Sequence, residues 1–272
     1  MGLPIRVGAV NYLNTKPLIH DLESFHPDLA LSLDVPSRLA DQLARGELDV
    51  ALIPAIEYFR SGHYSIVPDI SIASRGPVLS VTLFSRVPAA NIRRVALDEG
   101  SRTSAALTKI FLFKRHNTQP ECVPLPLQAD PEQIDADAVL LIGDRAMHAC
   151  LPGFGHAYDL GREWEDWTGL PFVYAFWAVR EGVDLHGVDD ALRRAKEHGC
   201  AHTGAIAQRE AGLLGLDAGF CRRYLSNIIQ FDLGPREQAG LHMFYMLACE
   251  LGLARRGVSL EYYGANDLVE SR

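Results

Sequence analysis

The chain has 272 residues, of which 48% are hydrophobic and 22% are charged, a balance typical of a soluble globular protein with one large domain or two small ones. This composition excludes intrinsic disorder and collagen-like repeats. Twenty-six basic against thirty-four acidic residues give a net charge of −8, opposite in sign to a phosphate-binding surface, so we expect no nucleic-acid partner.

The first residues, MGLPIRVGAVNYL, contain one basic residue and pass directly into a strand-like pattern. They lack the apolar segment and the small-residue cleavage site of a signal peptide. Apolar runs such as 138–143 fall far short of the ~20 residues that cross a bilayer. Five cysteines form no CxxC pair, which is typical of free thiols in a reducing compartment. We therefore predict a cytoplasmic protein with no membrane partner.

The first fifty residues alternate strand-like and helix-like patterns with short connections. Strands are predicted at 6–10, 29–35 and 49–54, and helices at 15–24 and 36–47. Ser37 is the expected N-cap of the second helix, and Gly46 ends it. Such an alternation predicts a parallel sheet with right-handed crossovers.

After residue 64 the pattern changes to three extended pieces over 64–87 with no helical periodicity. The alternation then restarts with a strand at 94–98 and a helix that begins at Ser101 or Thr103 and ends near His116. Further strands are expected at 122–127, 138–143 and 172–181, and helices from about Asp144 and over 188–212, 217–229 and 235–253. Two such series predict an α/β protein with two lobes.

The long extended runs at 78–87 and 172–181 stand between the two series, so we expect the chain to cross between lobes there. One lobe would be discontinuous, 1–87 plus 177–272, and the other, 88–176, would be inserted in it. A cleft between lobes is a common place for a small-molecule site. A single continuous sheet is the alternative architecture.

Common catalytic signatures are absent from the sequence, which contains no GxGxxG after a strand, no GxxxxGK[ST], no HExxH and no GxSxG. We therefore expect no nucleotide cofactor. His198 and His202 are four residues apart in a helical pattern and would share one face as metal ligands. Because no third ligand is evident, solvated helix histidines are the favoured interpretation, and no metal is predicted.

Polar loops follow several of the parallel strands, at the edge where open α/β sheets bind ligands. Free backbone N–H groups at helix N-termini favour an anion there, although ordinary helix capping explains the same residue types. The candidate binding residues in these loops are Asn14, Thr15, Ser101, Thr103, Ser104 and Asp144.

The segment 71–85 adds two further candidates. Ser80 opens a strand that would rise to the junction of the lobes, and Arg75 precedes the Gly76–Pro77 turn. A serine hydroxyl bonded to the backbone of its own strand is the alternative for Ser80.

Six segments together resemble one enzyme family, chorismate dehydratase of the futalosine route to menaquinone. They are VxYLNTxPL at 10–18, PSxLAxxLxxGELDVALIPxIEY at 36–58, SIASxGPVLSVxLxS at 71–85, VALDxxSxTSxxLxxI at 95–110, LLIGDxA at 140–146 and DLGxxWxxxTGLPFVYAxW at 159–177. The resemblance covers about residues 5–180 in order. It implies the two-lobed periplasmic-binding-protein type II fold with an inter-lobe cleft, used here by a cytoplasmic enzyme.

The resemblance also implies a reaction in which water leaves chorismate to give 3-[(1-carboxyvinyl)oxy]benzoate. Its catalytic residues are Asn14 and Ser80, and no cofactor is needed because formation of the aromatic ring drives the elimination. Neither residue is a base at neutral pH without a partner, so we expect the enolpyruvyl carboxylate of the substrate to take the C3 proton. Asp144 is the rival acid/base.

Chorismate carries two carboxylates, whereas the chain is negatively charged overall. We therefore expect local features, namely the helix N-termini near Thr15 and Ser101–Ser104 together with Arg75, to bind them. Two other functions stay open: a non-catalytic intracellular small-molecule-binding protein of the same fold, and the naphthoate-forming enzyme of the same pathway. For the latter we would expect a histidine base near the cleft.

Overall fold

The computed structural model describes residues 3–265, which form two β-sheets with helices around them. The first sheet has the strand order β11-β4-β10-β3-β1-β2, and the second has the order β7-β6-β8-β5-β9. The strands are β1 Ile5–Val10, β2 Leu29–Asp34, β3 Val50–Pro54, β4 Tyr64–Ser74, β5 Val81–Ser85, β6 Arg94–Asp98, β7 Glu121–Leu125, β8 Ala138–Ile142, β9 His156–Asp159, β10 Phe172–Arg180 and β11 Ile229–Gln230.

The described helices pack around these sheets. They are α1 Leu22–Phe25, α2 Pro36–Ala44, α3 Ala55–Ser61, α4 Arg102–His116, α5 Gly143–Met147, α6 Leu160–Thr168, α7 Val188–Ala201, α8 Thr203–Leu214, α9 Ala218–Arg223 and α10 Pro235–Glu250. A 3₁₀ segment, Leu13–Ile19, precedes α1, and a π-helical segment, Tyr224–Ile228, continues α9. Within residues 3–265, no helix has both the length and the apolar character that a membrane crossing needs.

Each sheet has a parallel core with antiparallel additions. β1 pairs in parallel with β2 and β3, and β6 does so with β7 and β8. All five residues of β3 and of β8 are buried. Strands covered on both faces are expected to be continuous apolar runs, as both are. The predicted α/β class and the parallel βαβ units are therefore confirmed, and the two sheets exclude a single continuous sheet.

The chain crosses between the sheets close to the predicted points but not at them. β5 lies in the second sheet, although 1–87 was expected to form the first lobe, and β10 pairs in the first sheet from Phe172. The first crossing occurs at the turn after Ser74, where Gly76 has φ +82°. Glycine adopts this left-handed conformation without steric cost, so the chain can turn there although the apolar pattern continues. How the remaining segments divide between lobes stays a prediction.

Several local expectations need correction. The predicted helix 15–24 is instead the 3₁₀ segment with Pro17 inside it, followed by the short α1, because proline removes a helical hydrogen bond. Ser37 is not an N-cap: Val35 holds that position, and the Ser37 N–H donates to the Gly100 carbonyl. The helix expected over 188–212 is interrupted at His202.

Candidate functional site

A cavity lies between the two sheets, and strand ends and loops of both sheets form its wall. The volume open to the centres of water molecules is about 50 Å³, several times the ~10–15 Å³ that one water occupies on this measure. The lining residues are Val10, Tyr12, Asn14, Pro36, Pro54, Ile72, Val78, Ser80, Val81, Ser101, Ser104, Ile142, Gly143, Tyr174 and Ala175. Four residues predicted from three separate loops, Asn14, Ser80, Ser101 and Ser104, thus come together.

The wall of this cavity carries no formal charge. Among the described residues that line it there is no lysine, arginine, histidine, aspartate or glutamate. Its polar groups are one carboxamide, three serine hydroxyls and two phenols, set among aliphatic side chains. Such a wall suits a ligand with an apolar ring and a few fixed polar groups.

One hydrogen-bonded chain joins Asn14 to Ser80 through Tyr224. The Asn14 side-chain amide donates to the Tyr224 hydroxyl over 3.4 Å, and that hydroxyl donates to Ser80 Oγ over 2.8 Å. Because Ser80 Oγ accepts this bond, its own proton is free to point into the cavity. The second amide hydrogen of Asn14 likewise has no acceptor within residues 3–265, and both residues line the cavity, so both can donate to a ligand there.

Tyr224 is fully buried, and burial raises its pKa above the usual range, so its hydroxyl stays protonated. It comes from the π-helical segment near the C-terminal end of the fold, and its sequence neighbourhood predicts only a helix. Neither the pattern nor the spacing of residues 217–229 points to a role at the cavity. Sequence analysis therefore missed it.

The backbone that presents Ser80 is held by a half-buried carboxylate. Asp159 accepts the Val78 N–H at 3.0 Å and the Leu79 N–H at 2.7 Å, and it also caps α6. Leu79 has φ +63°, a conformation that a bulky side chain rarely adopts. Strained backbone of this kind tends to occur at functional sites, where the surroundings hold it in place.

The N-terminus of α4 forms another part of the wall. Ser101 is the N-cap as predicted: its Oγ accepts the Ser104 N–H at 3.3 Å and donates to Ser104 Oγ at 3.0 Å. The first-turn N–H groups of Arg102 and Thr103 have no acceptor within the helix, and the helix dipole places partial positive charge there. This end of α4 is the part of the wall best suited to a carboxylate.

Three of the predicted binding residues do not line the cavity. Thr15 is fully buried, and its Oγ1 donates to Asn14 Oδ1 at 3.4 Å, which helps to orient the carboxamide. Thr103 Oγ1 accepts the Ile56 N–H at 3.1 Å. Asp144 Oδ1 accepts the Leu13 N–H at 3.1 Å, and burial raises its pKa.

Arg75 is not brought to the cavity. Its guanidinium pairs with Glu237 on α10 at 2.7 Å, and the buried Glu237 carboxylate gains its counter-ion from this contact. The two residues are 162 positions apart, so local sequence could not reveal the pairing.

The sequence analysis did not identify two aromatic residues in the wall and one acid behind it. Tyr12 packs against Gly143, where an added Cβ would lie 3.0 Å from the ring and φ is +61°, so only glycine fits. The Tyr174 hydroxyl lies 3.1 Å from Ser74 Oγ. Asp98, behind the wall, is only 3% exposed, and burial raises its pKa to about 6 although it accepts the Gly100 N–H at 2.8 Å.

Comparison with known proteins identifies the family to which the chain belongs. A sequence profile described as Menaquinone biosynthesis matches residues 5–250. The chain is 33% identical over 262 residues to the chorismate dehydratase of Thermus thermophilus, covering 89% of this chain and 94% of that protein. It is 25% identical over 253 residues to the chorismate dehydratase of Campylobacter jejuni, with 91% and 99% covered.

Solved structures confirm the expected fold. A protein of Archaeoglobus fulgidus superposes with a TM-score of 0.75 at 18% identity, covering 93% of this chain and 99% of that one. The periplasmic aliphatic sulphonate binding protein of Escherichia coli superposes with a TM-score of 0.62 at 18% identity, covering 95% and 90%. At such identities the likeness concerns architecture alone.

Proposed function

Since the chain belongs to the menaquinone biosynthesis family that includes the chorismate dehydratases, we propose that it removes water from chorismate in the cavity between its sheets. The product would be 3-[(1-carboxyvinyl)oxy]benzoate, on the futalosine route to menaquinone. The observation that carries the proposal is the pair of neutral donors, Asn14 and Ser80, joined through buried Tyr224 beside an uncharged cavity.

The reaction breaks two bonds of the substrate ring. The C3 hydrogen leaves as a proton, and the electron pair of that bond forms a new ring double bond. The C4–O bond breaks, and the hydroxyl takes up a proton and leaves as water. Because the ring becomes aromatic, the protein needs mainly to bind, orient and stabilise charge.

Asn14 and Ser80 would orient the enolpyruvyl carboxylate so that it accepts the C3 proton. Both offer a hydrogen to the cavity, and neither is a base at neutral pH. Helix capping, the alternative role of Asn14, is not supported: the N-cap of segment 13–19 is Tyr12, and Asn14 donates its side-chain amide to Tyr224 instead. A proton acceptor supplied by the substrate fits a wall that has no ionised group.

The ring carboxylate would lie at the N-terminus of α4, against the hydroxyls of Ser101 and Ser104. Free first-turn amides and the helix dipole stabilise an anion there without a cationic side chain. We leave Arg75 and Thr103 out of the substrate contacts, because Glu237 and the Ile56 N–H already engage them. Thr15 and Asp144 act through the segment that carries Asn14.

Incubation of the purified protein with chorismate alone tests the proposal. We expect loss of chorismate and growth of an aromatic absorbance with no added cofactor, and mass and NMR spectra identify the product. Binding without turnover would instead indicate a non-catalytic binding protein. Naphthoate formation is disfavoured because, within the described part of the chain, no histidine lines the cavity.

We also propose that the reaction takes place in the cytoplasm. All five cysteines are free thiols, and thiols stay reduced in that compartment. Fractionation of the source cells with an antibody against the protein would test this location. Recovery with secreted or envelope proteins would contradict it.

A further inference from the structure

Three histidines come together outside the cavity. His20 follows the segment Leu13–Ile19, and His198 and His202 lie one turn apart at the end of α7. Each offers a ring nitrogen, and these three atoms lie within 4.8 Å of one another. The sequence shows only the pair His198 and His202, and two histidines are too few for a metal site. The structure adds His20 as a third possible ligand.

A close backbone approach brings the three rings together. An added Cβ on Gly199 would lie 2.0 Å from the Pro17 carbonyl oxygen, so only glycine lets α7 pack directly on the segment 13–19. This contact holds His198 of α7 next to His20, which directly follows the segment. Their rings stack with centroids 5.2 Å apart.

The hydrogen bonds of the cluster leave ring nitrogens available as ligands. His202 Nδ1 lies 2.7 Å from the His198 carbonyl oxygen, so this nitrogen is the donor and the Nε2 lone pair is free. The same arrangement fixes the tautomer of histidines that bind metals. His198 Nδ1 is buried and makes no hydrogen bond of normal geometry within residues 3–265.

Asp21 adds a carboxylate to the cluster. Its Oδ2 lies 3.3 Å from His198 Nδ1 and 3.9 Å from His20 Nε2. Arg209, a cation near His20, is paired with Glu210 at 2.8 Å, which reduces its repulsion of a further cation. The set is therefore three imidazoles whose ring nitrogens lie within 4.8 Å of one another, and one carboxylate that lies near two of them.

We propose that His20, Asp21, His198 and His202 form a surface site for a divalent transition metal of the Zn²⁺ type. Imidazole suits Zn²⁺, Cu²⁺ and Ni²⁺, whereas Ca²⁺ and Mg²⁺ require oxygen ligands. Tetrahedral Zn²⁺ with bonds of about 2.0–2.1 Å needs ligand atoms roughly 3.3 Å apart. Small side-chain rotations bring nitrogens from within 4.8 Å to that spacing.

An ion at this site would link α7 to the segment that carries Asn14. Because the ion binds the folded protein and joins two separate elements, its binding would raise the temperature of unfolding. None of its four ligands lines the cavity where we place the dehydration. The site is thus a structural clamp beside the catalytic segment and not a part of the reaction.

Isothermal titration of untagged, chelator-treated protein with ZnCl₂ is the test, together with thermal unfolding and the visible spectrum of the Co²⁺ form. We expect one equivalent to bind, a higher unfolding temperature with Zn²⁺, and a tetrahedral Co²⁺ spectrum. The His202→Asn variant keeps a donor for the His198 carbonyl but removes Nε2. It should fold normally and bind at least ~10-fold more weakly.

Two control variants separate this site from other binding. His242→Asn makes the same change at an exposed position of α10, and Cys200→Ser removes an exposed thiol next to Gly199; both variants should bind Zn²⁺ like the natural chain. No binding above dilution heat, or unchanged binding by His202→Asn and His20→Asn, would overturn the proposal. Loss of binding in Cys200→Ser would assign the ion to the thiol instead.

Discussion

The wall of the cavity and the layer directly behind it are built from opposite kinds of polar group. The wall offers Asn14, Ser80 and other neutral donors. The layer behind holds three carboxylates, and each accepts backbone N–H groups: Asp98 from Gly100, Asp144 from Leu13, and Asp159 from Val78 and Leu79.

The two layers therefore have different roles: the carboxylates position the backbone, and the neutral groups of the wall are available to a ligand. Carboxylates are strong acceptors for backbone amides, so they fix the loops that carry the polar residues. An ionised carboxylate on the wall itself would repel a dianionic substrate across a poorly solvated space. Negative charge is thus found where it holds the backbone and not on the wall of the cavity.

The Asn14→Asp variant removes the difference between the wall and the layer behind it most directly. It places a negative charge on the wall and leaves the size of the side chain unchanged. We expect turnover of chorismate to fall by more than ~1,000-fold, beyond the loss of one oriented donor, and binding to weaken as well. Steady-state kinetics and a binding titration measure both effects, with circular dichroism to show the fold. Near-normal turnover by the Asn14→Asp variant would remove the carboxylate-orienting role.

Ser80→Ala removes one donor and leaves the wall neutral. We expect kcat to fall by ~100- to 1,000-fold, about 2.7–4 kcal/mol, with a much smaller change in substrate binding. The matched control is Ser32→Ala on β2, whose hydroxyl donates to the Val7 carbonyl, and its turnover should be unchanged. Equal losses in the two variants would make Ser80 a structural residue.

Asp98→Asn tests the layer behind the wall through pH. Burial raises the pKa of Asp98 from 3.8 to about 6, so the folded state favours its neutral form. Its stabilising contribution is full below pH ~4 and is lost as the pH rises through about 6. Asparagine stays neutral, so the unfolding free energy of the variant relative to the natural chain should increase by on the order of 2–3 kcal/mol between those values.

Urea unfolding at several pH values between about 4 and 7 measures this difference. The substituted carboxamide keeps an oxygen for the Gly100 N–H, so the loop itself should survive. A difference that does not change with pH would mean that Asp98 titrates as an ordinary carboxyl.

Tyr224→Phe tests the link between the two donors. The ring stays in place, and only the hydroxyl that bridges Asn14 and Ser80 is lost. A lost neutral hydrogen bond of ~1–1.5 kcal/mol predicts a fall in kcat of about 10-fold with little change in KM. Tyr262→Phe removes a buried hydroxyl that has no partner within residues 3–265 and should leave kinetics unchanged.

Asp144→Asn is expected to have the smallest effect, because asparagine can still accept the Leu13 N–H. If the substrate supplies the base, the pH profile of turnover has no ascending limb from a histidine near ~6.5 or from a buried carboxyl. Profiles of the natural chain and the variant should therefore have the same shape. An ascending limb that disappears in the variant would transfer the role of base to Asp144.

Much of the fold and part of the site are predictable from short stretches of sequence. The strands β1, β6 and β8 are apolar runs followed by polar residues, and this pattern placed Ser101 and Ser104 at the sheet edges. The resemblance of segments over 5–180 pointed to Asn14 and Ser80. Capping and apolar periodicity depend on residues a few positions apart, so both are visible in one sequence.

The partners of those side chains were decided only by the tertiary structure. Tyr224 lies 144 positions from Ser80, Glu237 lies 162 from Arg75, and His20 meets a pair on α7. No local pattern specifies such contacts, because they arise from the packing of elements that are distant along the chain. Because of the same packing, Arg75, an expected substrate ligand, forms a structural ion pair with Glu237, and the Asn14 amide donates to Tyr224 beside the cavity.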